Sequence, residues 1–269
     1  MERVAVDELE SVLRIQETVD LLRRKSPQFF GAGDDPSVTE VVLTPDFHKG
    51  AGIPIGTVLA TRDFAVPQAI GNDMMKRIYP EGIARPTNDI FLLPRNERFA
   101  VEFDQFMTSM RNAANFAFGN RFFLAQMIRK GLCQTVGETD WKVVYDAPHN
   151  LMWEEQLDGK RTYVHRKGAT PAGGWEEMQE THFAHWGEPV IVPGSMGAPS
   201  YLLLGKGARP AICSACHGAG RALSRGEAMR EDDSRFAHFL KQFTVITLST
   251  PIVRMCDCRP TSWTNGNKN

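Results

Sequence analysis

No stretch of eighteen or more apolar residues interrupts this sequence, so no membrane-spanning helix is expected. The opening segment, MERVAVDELE, is charged where a secretory leader would be apolar, and a cytoplasmic location follows as the expectation. Net charge is nearly absent: 31 Lys+Arg face 32 Asp+Glu, a formal balance of −1. That excludes a protein that coats nucleic acid by bulk charge, and leaves room for a local basic site. Cysteine is sparse, with five in 269 residues, an odd number that suits thiols, ligands or core positions better than a disulfide framework. A Walker loop is missing, because Gly205-Lys206 lacks both the earlier glycine and the following hydroxyl residue, and no GxGxxG occurs. Neither an internal repeat nor a low-complexity block is present. What remains, 42% apolar and 23% charged residues, is the composition of a chain that folds around a core.

The patterning predicts mixed α and β structure with antiparallel sheets rather than regular βαβ units. Leu9, Val12, Ile15, Val19 and Leu22 recur at helical spacing, which predicts a first helix capped by Asp7 and ending before Ser26-Pro27. Short strands joined by tight turns are expected from Val41 to Asp73, and a proline-punctuated connector over 80–98. A long helix is predicted over 99–130, with Phe103, Phe106, Met110, Ala113, Ala114, Ala117 and Phe118 on one apolar face and Gly131 as its stop. Strands are expected in WKVVYD, RTYVHRKGAT, PVIVPG, YLLLG and ARPAICSACHG, and a final helix from about Ser224 to Phe243.

Residues able to do chemistry fall at strand ends, most of them beside glycine. They are Asp46 and His48 in PDFHKG, Asp73 in GND, His149-Asn150, His165-Arg166-Lys167-Gly168, and His217 in CHGAGR. Neutral imidazole and carboxylate are the usual ligands of borderline divalent ions. Pro193-Gly194-Ser195-Met196-Gly197 and His217-Gly218-Ala219-Gly220-Arg221 are glycine-rich turns whose N–H groups could approach phosphate. Nine Lys or Arg stand against five Glu between residues 160 and 230, a local basic excess that suits a phosphate-bearing substrate. Cys213-Ser214-Ala215-Cys216-His217 matches the C-x-x-C-H haem-attachment spacing, but the lack of an export signal and of a helical composition argues against that use.

In order along the chain, PDFHKGAGIPIG, VPQAIGND, APHNLMWEE, YVHRKGATPA, VPGSMG and CSACHGAGRALSR resemble the RtcB family of RNA-splicing ligases. The likeness runs over roughly 41–73 and 109–243. It implies an α+β fold of layered antiparallel sheets flanked by helices, a single ligase domain over 1–243 and a divergent tail over 244–269. It also implies a GTP- and Mn2+-dependent ligase acting on RNA, either tRNA halves or broken ends. Such an enzyme joins a 2′,3′-cyclic phosphate or 3′-phosphate end to a 5′-hydroxyl end through a guanylylated histidine. By this resemblance His217 is the nucleophile, and Asp73, His149 and His165 are metal ligands. Asn150, Pro193, Gly194, Ser195, Met196, Gly197, Gly218, Ala219, Gly220 and Arg221 contact the guanylate, and Arg166, Lys167 and Arg221 contact RNA.

Three departures from the family pattern are visible. The family's metal-ligating cysteine shortly after the GND aspartate is missing, because Asp73-Met74 runs directly into Met75-Lys76-Arg77. No GNHF segment occurs; Gly119-Asn120-Arg121-Phe122 lacks its histidine. Lys268 has no context matching the family's closing Lys-Gly. One of the two metal sites is thereby removed as the family builds it, leaving His149 and His165 able to share one ion. The alternative expectation is a decayed relative that binds RNA or nucleotide without ligating.

Overall fold

The computed structural model describes residues 3–50, 52–70, 91–138, 140–194, 199–218 and 220. The fold is α+β. Helices α1 (Arg3–Leu13) and α2 (Ile15–Lys25) form where one helix is predicted, broken by a turn at Arg14. Asp7 does not cap this region but lies inside α1, where its carbonyl accepts from Ser11 Oγ. The α2 end before Ser26-Pro27 is where the proline places it.

The central sheet is built from β1 (Ser37–His48), β2 (Ile55–Arg62), β5 (Met152–Leu157) and β6 (Lys160–Lys167), in the order β1-β2-β6-β5 and antiparallel throughout. Strand β6 falls, but for Lys160, within the expected RTYVHRKGAT, whereas β5, its hairpin partner, is absent from the expected strands. The hairpin's signal is Asp158-Gly159, both in the left-handed region (φ 52° and 70°), as a two-residue hairpin turn requires. Three short two-stranded ladders complete the β structure. They join β3 (Phe64–Ala65) to β4 (Leu93–Pro94), β7 (Ala169–Pro171) to β10 (Ser214–Cys216), and β8 (Pro189–Val192) to β9 (Tyr201–Leu204).

Strand alternation splits the core between the sheet's two faces. Leu59, Tyr163 and Met152 face Val12, Ile15, Val19 and Leu22 of the helices, together with Phe29, Phe64, Phe103 and Phe106. The opposite face carries Val58, Ala60 and Val164, packed against Ala169 and Ile212. Burying a side chain of this size contributes about 1.5–3 kcal/mol each, so the helical face is the main source of stability.

Helix α3 (Ala100–Val136) runs past the predicted stop: Gly131 is helical and Gly137 (φ 88°) ends it. Of its predicted apolar face, Phe103 and Phe106 are buried and Met110 packs partly buried against the core, joined there by Met107, while Ala113 is exposed; Phe116 and Phe123, off that face, are exposed at 78% and 61%. Two further expectations are corrected. WKVVYD forms no strand, and its Asp146 instead binds Arg121 of α3 at 2.6 Å. ARPAICSACHG gives a 3-10 turn at Arg209–Ala211 and a strand only at Ser214–Cys216. The expected helix over 224–243 lies outside the described residues.

Candidate active site

Four of the motifs singled out from the sequence meet at one edge of the sheet. Strand β6 ends at Lys167, Gly168 turns the chain, and β7 continues. Cys216 pairs with Ala169 across the β10–β7 ladder, which delivers His217 beside Gly168. The His149-Asn150 loop is tied to the same turn: Gly168 N–H donates to Asn150 Oδ1 at 2.7 Å, and Thr170 Oγ1 donates to the Pro148 carbonyl at 2.7 Å. The irregular end of β1 contributes Asp46, which is 4% exposed.

Side chains converge accordingly. The rings of His149 and His217 stack, with centroids 4.6 Å apart and planes 23° from parallel. His217 Nδ1 is buried without a hydrogen-bond partner and stands 3.6 Å from Asp46 Oδ2. That carboxylate raises the His217 pKa above the ordinary imidazole range; burial opposes it and the nearby Gly168 backbone reinforces it. His149 is pushed the other way, by desolvation first and by the charge of His217 second. The two rings thus prefer different protonation states, an arrangement typical of acid–base pairs.

Glycine is required at two crossings. Gly56 (φ 82°) lies where an added Cβ would stand 3.0 Å from Asp46 Oδ1 and from Phe47 Cα. Gly220 (φ 72°) passes over Asp46, with room for a Cβ 3.4 Å from its Cα. Gly220 therefore lies against the backbone of the residue whose carboxylate faces His217.

A relay from Thr44 completes the arrangement. Thr44 Oγ1 donates to Asp46 Oδ1, leaving Oδ2 toward His217. Sequence reading does not pick out Thr44; the signal available was its place two residues before Asp46, which puts both on one face of a strand. A hydrogen bond to a charged group contributes about 1.5–3 kcal/mol, so Thr44→Val is expected to slow any reaction of His217 about tenfold or more. Thr44→Ser should restore most of it, and the measurement is the rate of His217 modification in the three proteins.

His165 is placed apart from this cluster. It is fully buried on β6, Nε2 accepts from Val66 N–H at 2.9 Å, and Nδ1 lies 3.0 Å from the Leu59 carbonyl. That pattern fixes the Nδ1–H tautomer, and neither nitrogen retains a free lone pair for a metal. Desolvation lowers its pKa to about 4. Because the folded pKa is depressed below the unfolded value, protons bind the unfolded chain preferentially between about pH 6.5 and 4. Stability is therefore expected to fall by roughly 3 kcal/mol as pH drops through that window, in equilibrium denaturation. His165→Gln should flatten that part of the curve.

Arg166 and Lys167 are buried rather than turned to solvent. Arg166 binds Glu155, donates to Ser214 Oγ at 2.8 Å and to the Ile212 carbonyl at 3.2 Å. With a side chain 2% exposed it offers no donor to an RNA phosphate. It instead clamps the left-handed pair Ile212 (φ 49°) and Cys213 (φ 42°), a turn unfavourable for a β-branched residue, just ahead of the strand that carries His217. Lys167 donates to the Gln68 carbonyl at 3.2 Å.

Cys213 and Cys216 are free, part-buried thiols raised above the ordinary range, chiefly by burial. Pro193 and Gly194 follow β8, where Gly194 N–H donates to Ser200 Oγ at 3.0 Å. Gly218 lies in open space beside His217. Asp73, Ser195, Met196, Gly197, Ala219 and Arg221 lie outside the described residues. Among the described residues no group of three His, Cys, Asp or Glu gathers to hold a metal ion, and no helix is long and apolar enough to cross a membrane.

Comparison with known proteins points the same way as these motifs. The family profile described as tRNA-splicing ligase RtcB matches residues 34–88 and 73–251. The chain is 32% identical to the tRNA-splicing ligase RtcB of Pyrococcus horikoshii over 78% of its own length and 26% of that protein. Against the protein of that name from Thermococcus kodakarensis it is 35% identical, over 78% of this chain and 48% of the relative. For Archaeoglobus fulgidus the figures are 36%, 56% and 33%. The chain thus spans less than half the length of these three relatives.

Proposed function

Because this chain belongs to the RtcB family of tRNA-splicing ligases, we propose that it forms a covalent guanylate on His217 and uses it to join RNA ends. The observation that carries this reading is the meeting of Asp46, His149 and His217 at the end of β6. Nδ1 faces the carboxylate, which leaves Nε2 as the attacking atom. Nε2 attacks the α-phosphorus of GTP, a P–N bond forms, and the bond to pyrophosphate breaks. The imidazolium so created is stabilised by Asp46, which can hold the Nδ1 proton. An RNA 3′-phosphate oxygen next attacks the same phosphorus and releases His217. The 5′-hydroxyl of the second RNA then forms the phosphodiester and expels GMP. A 2′,3′-cyclic end must first be opened to the 3′-phosphate.

The family resemblance also implies manganese. The described donors do not fit such a centre: His165 has both ring nitrogens bonded to backbone, and no third ligand joins His149. No step is therefore assigned to a metal. The decisive experiment incubates the chain with labelled GTP, with and without Mn2+. The expected product is acid-labile, alkali-stable label that maps to His217 by mass spectrometry. A folded chain that takes no label under either condition overturns the reading. In its place would stand a nucleotide- or RNA-binding relative without ligation, a reading favoured by the engaged nitrogens of His165.

A further inference from the structure

The glycine-rich loop that follows His48 grips an anion supplied by the chain itself. Gly50 N–H donates to Glu8 Oε2 at 2.7 Å, and Gly52 N–H lies 3.3 Å from Glu8 Oε1. Two N–H groups of a tight turn converging on one carboxylate make an anion-binding concavity. The turn is built for close approach. A Cβ at Gly50 would stand 2.0 Å from the Ile53 carbonyl oxygen, and Gly52 holds φ 81°. Glu8 reaches this loop from α1, across 42 residues of sequence, and its side chain is partly exposed, so it is free to rotate into solvent.

Lys167 supplies the second observation. It is 7% exposed, its ammonium is met by the Gln68 carbonyl, and it makes no ion pair among the described residues. A buried cation without a counter-ion is costly, and an anion beside it relieves that cost. Lys167 pairs with Thr57 across the β2–β6 ladder, two residues beyond Ile55, whose backbone nitrogen an added Cβ at Gly50 would meet at 3.2 Å. Lys167 also directly precedes Gly168, the turn beside His217, so the loop borders the proposed site of guanylate transfer.

We propose that Gly50 and Gly52, with Lys167, form a site for a substrate phosphate group, and that Glu8 occupies it as an internal stand-in which phosphate displaces. A phosphate offers more negative charge and more acceptor oxygens than a carboxylate, so it can engage both N–H groups and reach the lysine. The phosphate belongs to GTP or to an RNA end. That choice of source rests on the ligase reading, whereas the site itself does not.

The test is a binding titration of the full chain with inorganic phosphate. Glu8→Gln removes the competing charge but keeps an acceptor oxygen, and is expected to bind phosphate about tenfold more tightly than the parent. Adding Lys167→Met to Glu8→Gln should abolish the gain. Equal affinity of Glu8→Gln and parent, or a gain that survives loss of the lysine, overturns the site. Should Glu8→Gln fail to fold, the parent still decides the matter: phosphate must shift the Gly50 and Gly52 amide resonances, and unmoved resonances overturn the site. Repeating the titration with GTP and with a 3′-phosphorylated oligoribonucleotide assigns the source to whichever tightens in Glu8→Gln. If inorganic phosphate alone tightens, the substrate assignment is overturned. None of these measurements needs guanylylation, so a chain that takes no label from GTP yet gains phosphate affinity in Glu8→Gln loses the ligase reading and keeps the anion site.

Discussion

Asp46→Asn is expected to slow formation of the guanylate on His217 by about 10²–10³-fold while leaving the chain folded. The carboxylate is 4% exposed, sits 3.6 Å from Nδ1, and is the largest influence holding His217 above its ordinary pKa. As Nε2 attacks phosphorus the ring becomes cationic, and a fixed anion at Nδ1 stabilises that charge where water is excluded. The substitution also makes a prediction of opposite sign. Without the carboxylate, burial is left to lower the His217 pKa, so more of the ring is neutral at a given pH. The acid limb of the rate profile should therefore move to lower pH even as the plateau falls. Loss of rate with that shift separates loss of charge stabilisation from simple protonation of the nucleophile. A plateau within about threefold of the parent would sink the role given to Asp46.

Gly168→Ala is expected to cost roughly 3–5 kcal/mol of folding stability and to disconnect the site even where the chain still folds. Gly168 holds φ 67°, where an L side chain is strained, and an added Cβ would stand 2.2 Å from Ile55 Cγ2 and 2.8 Å from Gly56 N. The isoleucine tip can give way, but the backbone nitrogen cannot without parting β2 from β6. The same residue donates to Asn150 and neighbours His217, so its displacement moves three site segments together. Chemical denaturation measures the stability, and loss of the His149–His217 stacking can be followed through their ring resonances. A stability change below about 1 kcal/mol would show that the turn relaxes freely and is not a keystone of the site.

How much of this was legible in the sequence differs by element. The α2 terminus before Ser26-Pro27 was readable because proline acts on its immediate neighbour. The length of α3 is not legible from Gly131, because glycine weakens a helix interior by only about 1 kcal/mol and does not forbid it. Strand β5 escapes a sequence reading because Met152–Leu157 carries three polar residues, Glu154, Glu155 and Gln156, and its assignment depends on pairing with β6. At the site, His217 stands out by its glycine-rich motif and His149 by its His-Asn pair, and the fold brings the two together. His165 and Arg166 stand in a glycine-bearing motif too, yet are committed to backbone and to Glu155, because strand alternation sends neighbouring side chains to opposite buried faces.

By itself the sequence determined the chain's family, its mixed α and β character and the short list of residues capable of chemistry, because these rest on local pattern and on motif order. Only the tertiary structure decided which of those residues share a site. Asp46 and His217 are separated by most of the described chain, and what sets them 3.6 Å apart is the register of β7 on β10 and the crossing of Gly168 over Gly56. Backbone pairing fixes that distance, and no periodicity along a single segment encodes it.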